Sequence, residues 1–139
     1  MPPPGTAVLE GVRILLVEDD RDTQFLTSTI LTSAGAEVLG VDNGQRALDR
    51  LPDIRPDLLL SDIGMPILDG FQLIHRVREL DDPALRNVPA VALTAYHGRH
   101  HFATAVAHGF DLYLTKPIEP AELIHALSTL LRTYGARTP

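Results

Sequence analysis

Short apolar runs alternate with stretches of helical periodicity five times along this chain. Arg13 to Glu18 holds a continuous apolar run, as expected of a strand buried on both faces. Asp22 to Ala34 follows as a helix, with Phe25, Leu26, Thr29, Ile30 and Ser33 at helical spacing, and Gly35 ends it. Glu37 to Val41 predicts a second strand, and Asn43 caps a helix through Leu51 that the stretch Pro52 to Pro56 breaks. Asp57 to Ser61 is the third strand and Asp62 to Gly70 a loop. The next helix carries Phe71, Leu73, Ile74, Val77 and Leu80 inward until Asp81-Asp82-Pro83 closes it. The last two strands fall at Ala90 to Thr94 and Leu112 to Thr115, with a helix from His100 to His108 between them that Gly109 stops. Pro120, with Glu119 near the cap, opens a final helix to Arg132. Residues 1–12, with three consecutive prolines, are expected to be a flexible lead-in, 13–132 the domain and 133–139 a tail.

Strands joined by crossover helices of this length predict an α/β fold. The expected form is a flavodoxin-like, doubly wound, five-stranded parallel sheet of order 2-1-3-4-5 with five helices and right-handed connections. Four of the runs end in residues that can do chemistry. Ile14 to Val17 leads to Glu18 and Asp19, Leu58 to Leu60 to Ser61 and Asp62, Val91 to Leu93 to Thr94, and Leu112 to Leu114 to Thr115 and Lys116. In that strand order the first and third strands are neighbours, and the carboxyl ends of parallel strands converge on one crevice. Glu18, Asp19 and Asp62 would therefore crowd together, a concentration of negative charge that a cation makes tolerable. An oxygen-only ligand set suits magnesium (Mg2+), with manganese (Mn2+) as the alternative.

Composition narrows the setting. The chain has 139 residues, 45% hydrophobic and 22% charged, a length and balance that fit one soluble domain. No apolar run approaches the roughly 18 residues of a membrane span, so no membrane anchor is expected. The absence of cysteine excludes disulfides and thiolate metal sites. The start, MPPPGTAVLEG, lacks a basic segment followed by an apolar stretch, so the cytoplasm is the expected location. A formal net charge of −6 argues against direct binding to nucleic acid.

Together the acids in ILLVEDD, the aspartate in LLLSDIGMPILDG, the ALTA segment and the GFDLYLTKP segment resemble a response-regulator receiver domain, the phosphate-accepting module of two-component signalling. The resemblance spans Arg13 to Arg132. It implies transfer of a phosphoryl group from a phosphohistidine on a sensor histidine kinase or histidine phosphotransfer domain to an aspartate. The protein would then be a signalling phosphoacceptor that catalyses its own phosphorylation and dephosphorylation. On this likeness Asp62 is the nucleophile, Glu18 and Asp19 hold magnesium with Asp62 and the backbone carbonyl of Gly64, and Lys116 pairs with phosphoryl oxygens. It further implies a cis bond before Pro117, phosphate contacts at Thr94 and Ala95, and a switch in which Tyr113 turns inward behind Thr94. The helix after Thr94, the strand of Tyr113 and the final helix would form the face that changes, and a homodimer could form through it.

Two positions depart from the commonest pattern. Gly64 places no side chain over the acceptor, and Tyr96 is expected to cover the phosphoryl group and slow attack by water. Ile118, where the family more often has phenylalanine, should alter packing and not chemistry. Rival readings stand beside this one. His97, His100, His101 and His108 lie on or near one helix, and the 97/101 pair has metal-binding spacing, although a solvated face explains them more simply. Asp20-Arg21-Asp22-Thr23 resembles the D-x-D-x-T motif of haloacid-dehalogenase-type phosphatases, which would make Asp20 the nucleophile. A receiver-like protein that works by binding alone is a third reading, against which the complete set of acids, threonine and lysine argues. Only 133–139 follow the last predicted helix, so no output domain is expected; a stand-alone shuttle and the receiver of a hybrid kinase both fit.

Overall fold

The computed structural model describes residues 8–65, 67–95 and 99–137, and in the last of these the side chains of 103–133. Five strands, β1 (Arg13–Val17), β2 (Glu37–Val41), β3 (Leu58–Asp62), β4 (Ala90–Thr94) and β5 (Leu112–Thr115), form one parallel sheet in the order β2-β1-β3-β4-β5. The connections carry α1 (Arg21–Ser33), α2 (Gly44–Ile54), α3 (Gly70–Arg78), α4 (Pro83–Arg86) and α5 (Arg99–His108), and α6 (Pro120–Arg137) follows β5. This is the flavodoxin-like, doubly wound arrangement that the alternation predicts.

Successive strand residues point to opposite faces, and the chain is apolar on both. Leu15, Val17 and Leu59 pack with Leu51 of α2 and with Leu73, Ile74 and Val77 of α3. Ile14, Leu16, Leu58 and Leu60 pack on the other side with Leu31 of α1 and with Leu123 and Leu127 of α6. Arg78 ties the base of the sheet together by donating to the carbonyls of Arg86, Val88 and Gly109 and to Asp111, whose carboxylate also accepts the N–H of Ala90.

Several expectations are corrected. Six helical segments occur among the described residues, because Asp82 caps the short α4 by accepting from the Ala84 N–H and Pro83 takes its first turn. The acid-proline cluster thus starts a turn of helix rather than merely closing one. Pro52 does not break α2, since in the last turn a proline forfeits a single backbone bond; Arg55 stops the helix in the left-handed conformation, φ 48°. Packing begins before Arg13, because Leu9 is fully buried and its N–H bonds to the Ala34 carbonyl at 2.8 Å. The last helix continues beyond Arg132 to Arg137, as Thr133 to Arg137 contains no proline.

The largest correction is the rotation of α1. Thr27, Leu31 and Ala34 are buried, whereas Phe25 and Leu26 are 75% and 61% exposed. The polar Gln24 faces the sheet and donates to strand-end carbonyls, which fixes the phase of the helix. Among the described residues no helix is long and apolar enough to cross a membrane. Leu31→Ala should accordingly cost about 3 kcal/mol in urea unfolding and Phe25→Ala less than about 0.5 kcal/mol. Equal costs would contradict this orientation of α1.

Candidate functional site

At the carboxyl edge of the sheet β1 and β3 lie side by side, with Val17 opposite Ser61. Glu18 and Asp19 leave the end of β1 while Asp62 ends β3, so the two strands deliver their acids to one point. One oxygen of each of these three residues lies within 4.8 Å of the others. From the far side of the crevice comes Lys116, just past β5. Its ammonium donates to Glu18 Oε1 at 2.6 Å and lies 3.4 Å from Asp62 Oδ2. The Asp20 N–H donates to Glu18 Oε2 at 3.1 Å, and the Ile63 N–H to Asp62 Oδ1 at 2.8 Å.

Local sequence explains the placement. Asp20 caps α1, accepting from the N–H and hydroxyl of Thr23, which leaves the two preceding acids for the crevice. These bonds lower the Asp20 pKa. The D-x-D-x-T string is thus a helix cap here. Gly70, the first residue of α3, is pressed against the end of β3: a Cβ there would sit 2.5 Å from the Asp62 carbonyl oxygen and 2.7 Å from Ile63 Cα. Its N–H bonds to the Ile63 carbonyl at 2.8 Å, so the end of β3 is held by the helix that follows it.

Electrostatics follow from burial. The Glu18 side chain is 1% exposed, and burial pushes its pKa above the ordinary carboxylate range. The bonds from Lys116 and the Asp20 N–H pull against that rise, while the charge of Asp62 adds to it. Lys116 loses water as well, which favours the neutral amine, but its bond to Glu18 and the field of the two carboxylates outweigh that loss and raise its pKa. It remains an ammonium. The remaining donors are hard oxygens, and three acids share one cation, so the residues fit a divalent ion that takes oxygen ligands.

The other predicted residues surround this centre. Thr94, at the end of β4, is buried, and its carbonyl accepts the Lys116 N–H at 2.7 Å. Ala95 follows it at the surface. The Lys116–Pro117 bond is cis. Among the described residues nothing lies within 4 Å of where a side chain at Gly64 would begin. Tyr113 is buried in the core cluster that includes Ala105 and Phe110. Ile118 packs, half-buried, against the cluster below α6. Tyr96, His97 and Pro66 lie outside the described residues, as do the side chains of His100 and His101. His108 meets His75 of α3, ring nitrogens 2.7 Å apart, and stacks on Phe71. Among the described residues the one group of three or more potential metal ligands is Glu18, Asp19 and Asp62.

Sequence reading overlooked Gln24, Gly70 and the outward Phe25 and Leu26. The signal for Gly70 was available in the Leu68-Asp69-Gly70 sequence at a helix start; the others depend on the rotation of α1.

A parallel sheet of this order whose first and third strands present acids opposite a lysine is a doubly wound α/β module with a candidate cation site at its carboxyl edge. The model of the response regulator receiver domain matches residues 14–128, and the chain belongs to that family. It is 48% identical over 116 residues to the "Uncharacterized 14.6 kDa protein in sodA1 3'region" of Leptolyngbya boryana, covering 84% of this chain and 87% of that one. It is 35% identical to the transcriptional regulatory protein PrrA of Mycobacterium leprae, over 89% of this chain but only 52% of PrrA, so it spans about half of that relative. Among solved structures it superposes with a TM-score of 0.80, at 33% identity, on the receiver domain of a sensor histidine kinase from Pseudomonas aeruginosa, covering 88% of this chain and 98% of the other. That structure is described with a magnesium ion coordinated in its active-site cleft.

Replacing Lys116 with methionine leaves Glu18 buried without a counter-charge. In buffer free of divalent ions, urea unfolding should show a loss of about 3 kcal/mol at neutral pH, the low end for breaking a buried pair because Lys116 is 23% exposed. A carboxyl whose folded pKa is raised binds more protons folded than unfolded, so stability falls as pH rises through that window. The deficit should shrink as pH is lowered toward the ordinary carboxylate range; a deficit independent of pH would contradict this role for Glu18.

Proposed function

We propose that the chain accepts a phosphoryl group on Asp62 from a phosphohistidine of a sensor histidine kinase or histidine phosphotransfer domain, and relays a signal in the cytoplasm by changing conformation. The observation that carries this reading is the convergence of Glu18, Asp19 and Asp62 with Lys116 in one crevice. An Asp62 carboxylate oxygen attacks phosphorus, the phosphorus–nitrogen bond to the donor imidazole breaks, and the imidazole leaves with its electron pair. The Ile63 N–H holds Oδ1, which orients Oδ2 toward the crevice beside Lys116. Lys116 supplies a positive charge to the phosphoryl oxygens, and the Thr94 hydroxyl a hydrogen bond. A bound Mg2+, or Mn2+ in its place, would be held by Glu18, Asp19, Asp62 and the Gly64 carbonyl and would neutralise phosphoryl charge, the main requirement of such transfers. The magnesium in the related kinase receiver supports that assignment. Water later hydrolyses the acyl phosphate, over which Gly64 itself places no side chain.

Delivery to a carboxylate whose side chain is only 12% exposed requires the donor histidine to press against the crevice rim. The elements that lead away from β1 and β3 expose apolar side chains, Phe25 and Leu26 on α1 and Ile67, 79% exposed, after β3. Ile67 has φ 71°, a conformation that costs a β-branched residue about 1–2 kcal/mol, and holds its side chain outward. We assign this rim to the helix that carries the phosphohistidine. Output, including pairing with a second copy, falls to the face of α5, β5 and α6, where Tyr113 pairs in register with Ala92, two residues before Thr94.

With radiolabelled acetyl phosphate and Mg2+, the parent and Asp20→Asn should take up label, while Asp62→Asn or excess chelator should abolish it. Label in Asp62→Asn, or its loss in Asp20→Asn, would overturn the assignment. Phe25→Asp should slow transfer from a phosphohistidine donor about tenfold or more, as expected for a central contact residue, and leave labelling by acetyl phosphate unchanged. Equal slowing of both would place Phe25 in the chemistry instead of the docking.

A further inference from the structure

We infer that Gln24 and Gly40 form a lock that positions Glu18 and Asp19 for the divalent cation, an inference that rests on the metal-assisted reading above. Beyond the last register pair of β1 and β2, Val17 with Val41, the next backbone bond runs from the Glu18 N–H to the Val41 carbonyl at 3.0 Å. There the strands part, β1 turning into the crevice and β2 toward α2. Gln24 bridges the parting. Its Nε2 donates to the Glu18 carbonyl and to the Val41 carbonyl, both at 3.0 Å, so both amide hydrogens are used.

Glu18 is consequently held at every polar atom. Its N–H is bound by Val41, its carbonyl by Gln24, Oε1 by Lys116 and Oε2 by the Asp20 N–H. Asp19, the next residue, inherits that fixed starting point. Gln24 itself touches neither the cation's place nor the acceptor; it acts through the backbone of the acid pair and is a positioning residue.

The amide can lie there only because residue 40 is glycine. A Cβ at that position would sit 2.7 Å from Gln24 Oε1 and 2.8 Å from its Cδ, distances that side chains do not tolerate. The atoms in the way are the far end of a flexible side chain, so Gly40→Ala would expel the amide while leaving the strand intact. The lock forms part of the wall of a cleft of about 640 Å³ that opens beside Asp19, where water can take over the released carbonyls. Groups that orient metal ligands from outside typically change metal affinity about tenfold or more when removed.

The test is Mn2+ binding to the whole chain, followed by the electron paramagnetic resonance of the free ion, for the parent, Gln24→Met, Gly40→Ala and the double variant. Circular dichroism checks that each is folded. Each single variant should raise the Kd about tenfold, and the double should be no weaker than either, because both changes open the same lock. A folded single variant with the parental Kd, or a double whose losses multiply, would overturn the lock while leaving the metal reading in place. A parent that binds no Mn2+ would overturn the metal reading and this inference with it. A purely structural role for Gln24 would lower the thermal midpoint and leave the Kd unchanged.

Discussion

The charge balance at the end of β1 and β3 is the constraint on which the rest of the molecule depends. Three carboxylates converge within 4.8 Å, and one ammonium stands among them, bonded to the most buried of the three. Like charges at such separations repel one another and cost stability unless a cation compensates. Lys116 compensates one acid, and with all three ionised the arrangement remains two positive charges short. In the proposed function a divalent ion would supply that missing charge, and the phosphoryl oxygens would then engage the lysine.

Much of the fold serves to hold this unfavourable cluster rigidly. The central strands are apolar on both faces and fully buried, so their ends are anchored by packing on two sides. Gly70 brings α3 against the backbone of Asp62, and Gln24 ties β1 to β2 behind Glu18. Lys116 is reached through β5, whose register sets Thr94 beside Thr115. The acid cluster is thereby connected through Lys116 and Thr94 to β4 and β5.

The strands and their order were legible because a buried parallel strand writes itself as an uninterrupted apolar run, and the acids at the run ends were legible because little else explains them. The rotation of α1 was not. Its sequence offers Phe25, Leu26, Thr29 and Ile30 as an apolar stripe, yet the buried positions are Thr27, Leu31 and Ala34 with Gln24 turned to the sheet. Periodicity finds a stripe but cannot weigh it against a side-chain amide that has two strand-end carbonyls to satisfy. The same limit applies to Pro52 and to α4: a proline's effect depends on which turn it occupies, and an acid beside it can open a helix as readily as close one.

The central claim is that the Asp62 side chain carries the phosphoryl group. The most direct measurement is reduction of the acyl phosphate with borohydride after incubation with acetyl phosphate and Mg2+, followed by peptide mass spectrometry. Reduction converts a phosphorylated aspartate to homoserine and leaves a free carboxylate unchanged. The account predicts homoserine at position 62, dependent on the metal. Homoserine at position 19, 20 or 22 with position 62 intact, or none at all in metal-loaded protein, would contradict it.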